Sequence, residues 1–296
     1  MVTAAMVKEL RETTGAGMLD CQKALKETDG NMEKAIEFLR EKGLATAAKK
    51  AGRIAAEGIV KVYVNDDKTI GVLLEVNSET DFVAKNEEFQ SFVTNVAKIV
   101  ADKNPTDVEA LKALPYENNE TVGDKLTALI AKIGENMNIR RFKRVSGNVC
   151  SYTHGEGRIG VLVETENKLD GASYEAAHDV AMQIAAINPM YLSKEYVPAA
   201  DVEKEKAVIV AQIKEDPKNA NKPDNIIEKM VGGKINKFYE QNCLLQQEFV
   251  KDSEFNVESY LTSKGVKLNN FVRFEKGEGL QKREENFADE VMKQIK

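Results

Sequence analysis

The chain has 296 residues, a net charge of −6, and 30% charged against 42% hydrophobic residues. It is too long for one small core, since domains commonly hold about 100–150 residues, and its acidic balance excludes a global basic field of the kind that recruits nucleic acid. The cysteines, Cys21, Cys150 and Cys243, lie far apart without a CxxC pair, and the histidines, His154 and His178, are also separated; this fits a reducing compartment better than a disulfide framework and gives no metal-ligand spacing.

Residues 3 to 43 read as three short helices. Thr3 caps the first, with Met6, Val7 and Leu10 on one face; 13-TTGAG-17 breaks it; Met18, Leu19, Ala24 and Leu25 mark the second. Asn31 is an N-cap for the third, which carries Met32, Ala35, Ile36 and Leu39 and is expected to stop near Gly43. Adjacent helical residues point about 100° apart, so Met18 and Leu19 cannot share a narrow core stripe. Either one of them is a contact residue or the core face is wide there. The small and basic residues of 44-LATAAKKAGRIAAEG-58 read as a linker with helical tendency.

The period then changes. Residues 59–64 and 70–76 read as two strands around the turn 65-NDDK-68, a hairpin pattern. The segment 78-SETDFVAKNEEF-89 follows, with Phe82 placed where a small polar residue is usual. Phe82 either fills this chain's own core or is offered to a partner's, and Asp81 either holds the turn or acts on that partner's polar groups. Phe89, Phe92, Val93, Val96, Ile99 and Val100 then recur at helical spacing, as do Val122, Leu126, Leu129, Ile130 and Ile133, before 139-IRRFKRV-145 returns to a strand.

The unit repeats. The segment 71-GVLLEV-76 matches 160-GVLVET-165, and Asp81 has the offset of Asp170, but Gly171 stands where Phe82 would fall. The second copy is interrupted by two helical patterns, 199–216 and 224–241, joined by 217-PKNANKP-223. Residues 266–279 supply a last strand, and 284–296 a short amphipathic helix with Phe287, Val291 and Ile295. The division is a three-helix module at 1–43, a linker at 44–57, core subdomains at 58–144 and 145–283 with the hairpin inserted at about 199–241, and a C-terminal helical module at 284–296.

No phosphate-binding loop, dinucleotide fingerprint, nucleophile elbow or HExxH is present in the sequence. The glycines of 153-THGEGRIG-160 precede a strand and so supply no helix N-terminus for an anion. A Cys150–His154 pair is the one nucleophile–base arrangement worth a structural check. The chain is therefore expected not to be an enzyme, and to need no cofactor and no metal. It carries no run of about 18 apolar residues and opens on an amphipathic, acid-containing segment, so a cytoplasmic location without membrane contact is expected.

Two stretches, 10-LRETTGAGMLDCQKAL-25 and 75-EVNSETDFVAKNEEF-89, resemble the bacterial translation elongation factor Ts family, and they occur in the family's order. So do 69-TIGVLLEVN-77, 154-HGEGRIGVLVE-164, 226-IIEKMVGGKINKFYEQ-241, 243-CLLQQEFV-250 and 271-FVRFEKGEG-279. The resemblance implies an α+β fold: a ubiquitin-associated-like three-helix module, two related core subdomains with antiparallel sheets, a coiled-coil hairpin and a C-terminal helix. It implies a guanine nucleotide exchange factor for the GTPase elongation factor Tu, in its GDP-bound and nucleotide-free forms, without direct nucleotide binding. Thr80, Asp81, Phe82 and Val83 would form the loop that disturbs the GTPase's Mg²⁺ site; Arg11, Met18, Leu19, His154 and Phe287 would be further contacts. The competing readings are a non-catalytic adaptor and an RNA-binding protein using 140-RRFKR-144. Homodimerisation is left open.

Overall fold

A computed structural model of the chain describes residues 2–117, 120–219 and 222–281; the expected C-terminal helix, with Phe287, lies outside the described residues. Helix α1 (Ala4–Thr14) starts where the Thr3 hydroxyl accepts the Met6 N–H at 3.3 Å, and ends at Gly15 in the left-handed region, φ 66°. Helices α2 (Met18–Glu27) and α3 (Met32–Lys50) complete a small core of Leu10, Cys21, Ala24, Leu25 and Ala35. The third helix does not stop at Gly43. Residues 44–50, read above as linker, are its last two turns, because Leu, Ala and Lys are strong helix formers and the face carrying Gly43 packs against Thr127 and Ala131 of the next subdomain. Arg40 pairs with Asp124 at 2.6 Å, and the Lys50 ammonium donates to the Gly134 carbonyl.

Strands β1 (Glu57–Val64) and β2 (Ile70–Ser78) pair antiparallel from Glu57↔Ser78 to Val64↔Gly71. A single helical turn, α4 (Asp81–Ala84), leads into α5 (Glu87–Lys103), then α6 (Val108–Lys112) and α7 (Val122–Ile133), and the chain returns as β3 (Met137–Ser146) beside β2. One face of this sheet, with Val72, Leu74 and Val76, packs on Phe89, Phe92, Val93, Val96 and Val100 of α5 and on Leu126, Leu129 and Ile130 of α7. The alternate residue Leu73 is also fully buried, on the other face, which is why β2 reads as a continuous apolar run.

Strands β4 (Asn148–His154) and β5 (Ile159–Thr165) begin the second half, followed by α8 (Gly171–Ile187), α9 (Ala199–Glu215), α10 (Asp224–Asn242), α11 (Val257–Ser263) and β6 (Leu268–Glu275), with sheet order β4-β5-β6. The repeat is geometric as well as sequential: the central strands carry register shifts at Glu75/Val76 and at Glu164/Thr165. The fold is α+β, and the two sheets meet face to face through Val60, Leu73, Val145, Val149 and Leu162. Helices α9 and α10 pack on each other through Ile209, Ile213 and Ile235. Among the described residues no helix is long and apolar enough to cross a membrane.

Candidate functional site

The turn after β2 is held from three sides. The Glu79 carboxylate accepts the Asn136 N–H at 2.6 Å and lies 3.4 Å from Arg53. Thr80 donates its backbone N–H (3.0 Å) and its hydroxyl (2.7 Å) to the two oxygens of Glu135, and the Ser78 hydroxyl donates to the Thr80 carbonyl at 2.8 Å. Downstream, Val83 and Ala84 are buried in the first core, and Asn86 caps α5 by accepting the Glu88 and Phe89 N–H groups. Between these anchors Phe82 stands out, 79% exposed, beside an exposed Asp81 whose carboxylate lies 3.6 Å from Lys85.

Val83 corrects the four-residue loop expected from the resemblance. It is 5% exposed, because successive helical residues point about 100° apart and a turn that presents Phe82 must bury its neighbour. Thr80 is half-buried and tied to Glu135. Of the four residues, Asp81 and Phe82 form the accessible tip.

His154 ends β4, exposed, with its Nδ1 3.0 Å from the Tyr152 hydroxyl. The β4–β5 turn it opens docks on β1, where the Gly157 carbonyl accepts the Val60 N–H at 2.8 Å. Strand β1 also carries Ile59, which packs with Val83 and Ala84. The turn of Phe82 and the turn of His154 are thus both mounted on the Glu57–Val60 end of β1.

Met18 and Leu19 are both exposed, by 60% and 80%, so neither belongs to the core of the first module and the wide-core alternative fails. They open α2 beside a cleft lined by Arg11, Gly15, Asp20 and Lys132. Lys132 in turn pairs at 2.6 Å with Glu88, in the first turn of α5. The corner between α1 and α2 therefore lies next to the helix that follows the Phe82 turn.

Residues 79–278, more than half of the chain, match the family model described as Elongation factor TS. The chain is 52% identical over 307 residues to the elongation factor Ts of Clostridium kluyveri, covering 100% of this chain and 99% of that protein. It is 52% identical over 305 residues to that of Clostridium botulinum (strain Alaska E43), with the same coverage, and 53% identical over 303 residues to that of Clostridium perfringens (strain SM101), covering 99% of each. The chain belongs to the elongation factor Ts family. It is a translation elongation factor of protein biosynthesis.

In this elongation factor Ts family member the other sequence candidates resolve as structural. The arginines of the basic stretch 140–144 are spent internally, leaving Lys143 as its exposed cation: Arg140 (2.9 Å) and Arg141 (2.6 Å) pair with Glu75, Arg144 donates to the Ala101 carbonyl at 2.9 Å, and Phe142 packs on the first core. Glu75 is fully buried. Burial raises its pKa, but hydrogen bonds from the Gly277 N–H, Arg140, Arg141 and Asn77 outweigh that and hold it below the ordinary carboxylate range. Cys150 forms no pair with His154; the thiol faces Tyr174, and burial pushes it up. Burial also raises Cys21, and brings Cys243 up to about 11.

Sequence reasoning missed Glu75, Glu135 and Asn136. A fully buried glutamate inside 70-IGVLLEV-76 was a signal: a charge in an apolar strand requires cationic partners, and the arginines of β3 were the available ones. Glu135 and Asn136 carried no comparable mark, since they follow Gly134 in an ordinary helix-to-strand connection.

Proposed function

We propose that this chain is a guanine nucleotide exchange factor for the GTPase elongation factor Tu, which binds the GDP-bound and nucleotide-free forms and accelerates GDP release without covalent chemistry of its own. The observation that carries the reading is Phe82, a large ring 79% exposed next to a residue locked in the core. Covering such a ring recovers about 1.5–3 kcal/mol, and no described residue of the chain covers it; a partner surface would. In this reading Asp81 and Phe82 enter the GTPase near its switch II helix and disturb the groups that hold Mg²⁺. His154 contacts the same partner from the adjoining turn and favours displacement of its phosphate-binding loop. Arg11, Met18 and Leu19 touch the nucleotide-binding domain, and the segment with Phe287 adds a further contact.

Exchange needs only differential binding. A factor that prefers the nucleotide-free GTPase weakens nucleotide by the same ratio, because coupling is reciprocal. A shift of about ten-thousandfold requires about 5.5 kcal/mol, more than one phenylalanine supplies. The distribution of exposed apolar residues over two modules suits that requirement. An RNA-binding reading has little to draw on, because Arg140 and Arg141 are paired with Glu75 and Arg144 donates to the Ala101 carbonyl.

The test is stopped-flow release of a fluorescent GDP from elongation factor Tu, titrated with the intact protein and with Phe82→Ala. Saturable acceleration that the substitution lowers is the expected result. A folded intact protein that gives no acceleration sinks the proposal in favour of an adaptor role.

A further inference from the structure

We infer that Glu135 is a positioning residue for Phe82, acting through Thr80; the inference rests on the exchange reading and adds to it a residue outside the exposed turn. Thr80 occupies the N-cap of α4 with extended backbone, φ −127° and ψ 160°, yet its side chain makes no capping bond. A threonine there ordinarily accepts a hydrogen bond from the first turn of its own helix. Here the hydroxyl and the backbone N–H are instead donated to the two oxygens of Glu135, at 2.7 and 3.0 Å.

Forgoing the cap and forming a two-point clamp fixes both the backbone direction and the side chain of the residue two before Phe82. The next residue of the connection reinforces it. The Asn136 N–H binds the Glu79 carboxylate at 2.6 Å, while the Asn136 side chain donates to the Arg53 carbonyl at 2.8 Å. The turn is therefore pinned to the end of α7 on one side and to the core, through Val83, on the other. A four-residue helix cannot hold its own geometry, so these two anchors set where the ring points.

The experiment compares Glu135→Ala, Glu135→Gln, Thr80→Val and Thr80→Ser in the full chain, each alone and Glu135→Ala also combined with Phe82→Ala. Readouts are the maximal GDP release rate, the half-saturating concentration, the thermal midpoint and amide hydrogen exchange across 80–86. Glu135→Ala and Thr80→Val should lower the maximal rate, toward the roughly 100-fold loss that a 1 Å misplacement can cost, and speed exchange of those amides with little change in midpoint. Thr80→Ser, which keeps the hydroxyl, should retain the rate. In the Phe82→Ala background Glu135→Ala should have no further effect.

An unaltered maximal rate in Glu135→Ala, or fully additive losses in the double variant, overturns the positioning role. If the intact protein does not accelerate release at all, the exchange reading fails instead. Hydrogen exchange then still decides whether Glu135 holds the turn: unchanged amides at 80–86 in Glu135→Ala overturn it, faster ones support it.

Discussion

Phe82 and Val83 are neighbours with opposite environments, 79% and 5% exposed, and they should behave as opposites. Phe82→Ala should leave the thermal midpoint of the free protein nearly unchanged while slowing GDP release. Val83→Ala should cost about 2 kcal/mol of stability through lost burial and a residual cavity, measured by urea denaturation. A large stability loss in Phe82→Ala would assign the ring to the protein's own core. Glu75 makes a second case. Replacing it with Gln leaves Arg140 and Arg141, both partly exposed and Arg141 still paired with Glu278, facing a neutral group, so the loss should fall below the roughly 3–5 kcal/mol of a fully buried pair. Because the folded pKa of Glu75 is lowered, its contribution is present above the unfolded pKa of about 4.3 and is lost as pH falls through the folded value. Wild type should therefore lose stability on acidification below about pH 4 more steeply than Glu75→Gln, which denaturation midpoints across that range would reveal.

The helices and strands themselves were legible where periodicity is long. The apolar spacing of α5 and α7 follows from residues that face one core, and the near-continuous apolar runs of β1 and β2 from strands buried on both faces. What escaped the sequence were contacts between elements. Gly43 looked like a stop because glycine ends helices, but here it is the place where α3 lies against Thr127 and Ala131, each 3.8 Å from where a Cβ would sit. Val83 entered the loop through the resemblance, and a single turn gives no period that would have set it apart; Arg140 and Arg141 looked like a basic patch because their partner, Glu75, is distant in sequence. The geometry at Gly43 gives a sharp expectation. Gly43→Ala places its methyl at ordinary contact distance and removes a helix-interior glycine, so it should stabilise by up to about 1 kcal/mol. Gly43→Leu should push α3 off α7 and lower the thermal midpoint. Equal destabilisation by Ala and Leu would mean that this helix contact tolerates no added atom.

Across the whole molecule, the relation between the Phe82 turn and the His154 turn depends on how closely the two sheets approach. The repeat places a glycine at the same point of each central strand, Gly71 in β2 and Gly160 in β5. A Cβ on Gly71 would lie 2.7 Å from Val149, and one on Gly160 would lie 2.7 Å from Val60 and 2.9 Å from Leu73. These obstacles are branched side chains in a close-packed layer between sheets, which cannot withdraw without moving the strands that carry them. Gly160→Ala should accordingly cost about 1–3 kcal/mol, the usual penalty of overpacking, even though alanine is small and well tolerated elsewhere. Its distinctive consequence is functional. Val60, which meets the new methyl, is also the residue whose N–H holds the Gly157 carbonyl of the His154 turn, so widening the layer displaces that turn relative to Phe82. The half-saturating concentration for accelerated GDP release should rise in Gly160→Ala beyond what its folded fraction explains, measured where denaturation curves show the variant fully native. A variant that is destabilised yet engages the GTPase with wild-type concentration dependence would show that the two turns act independently, and that the face-to-face packing of the sheets serves stability alone.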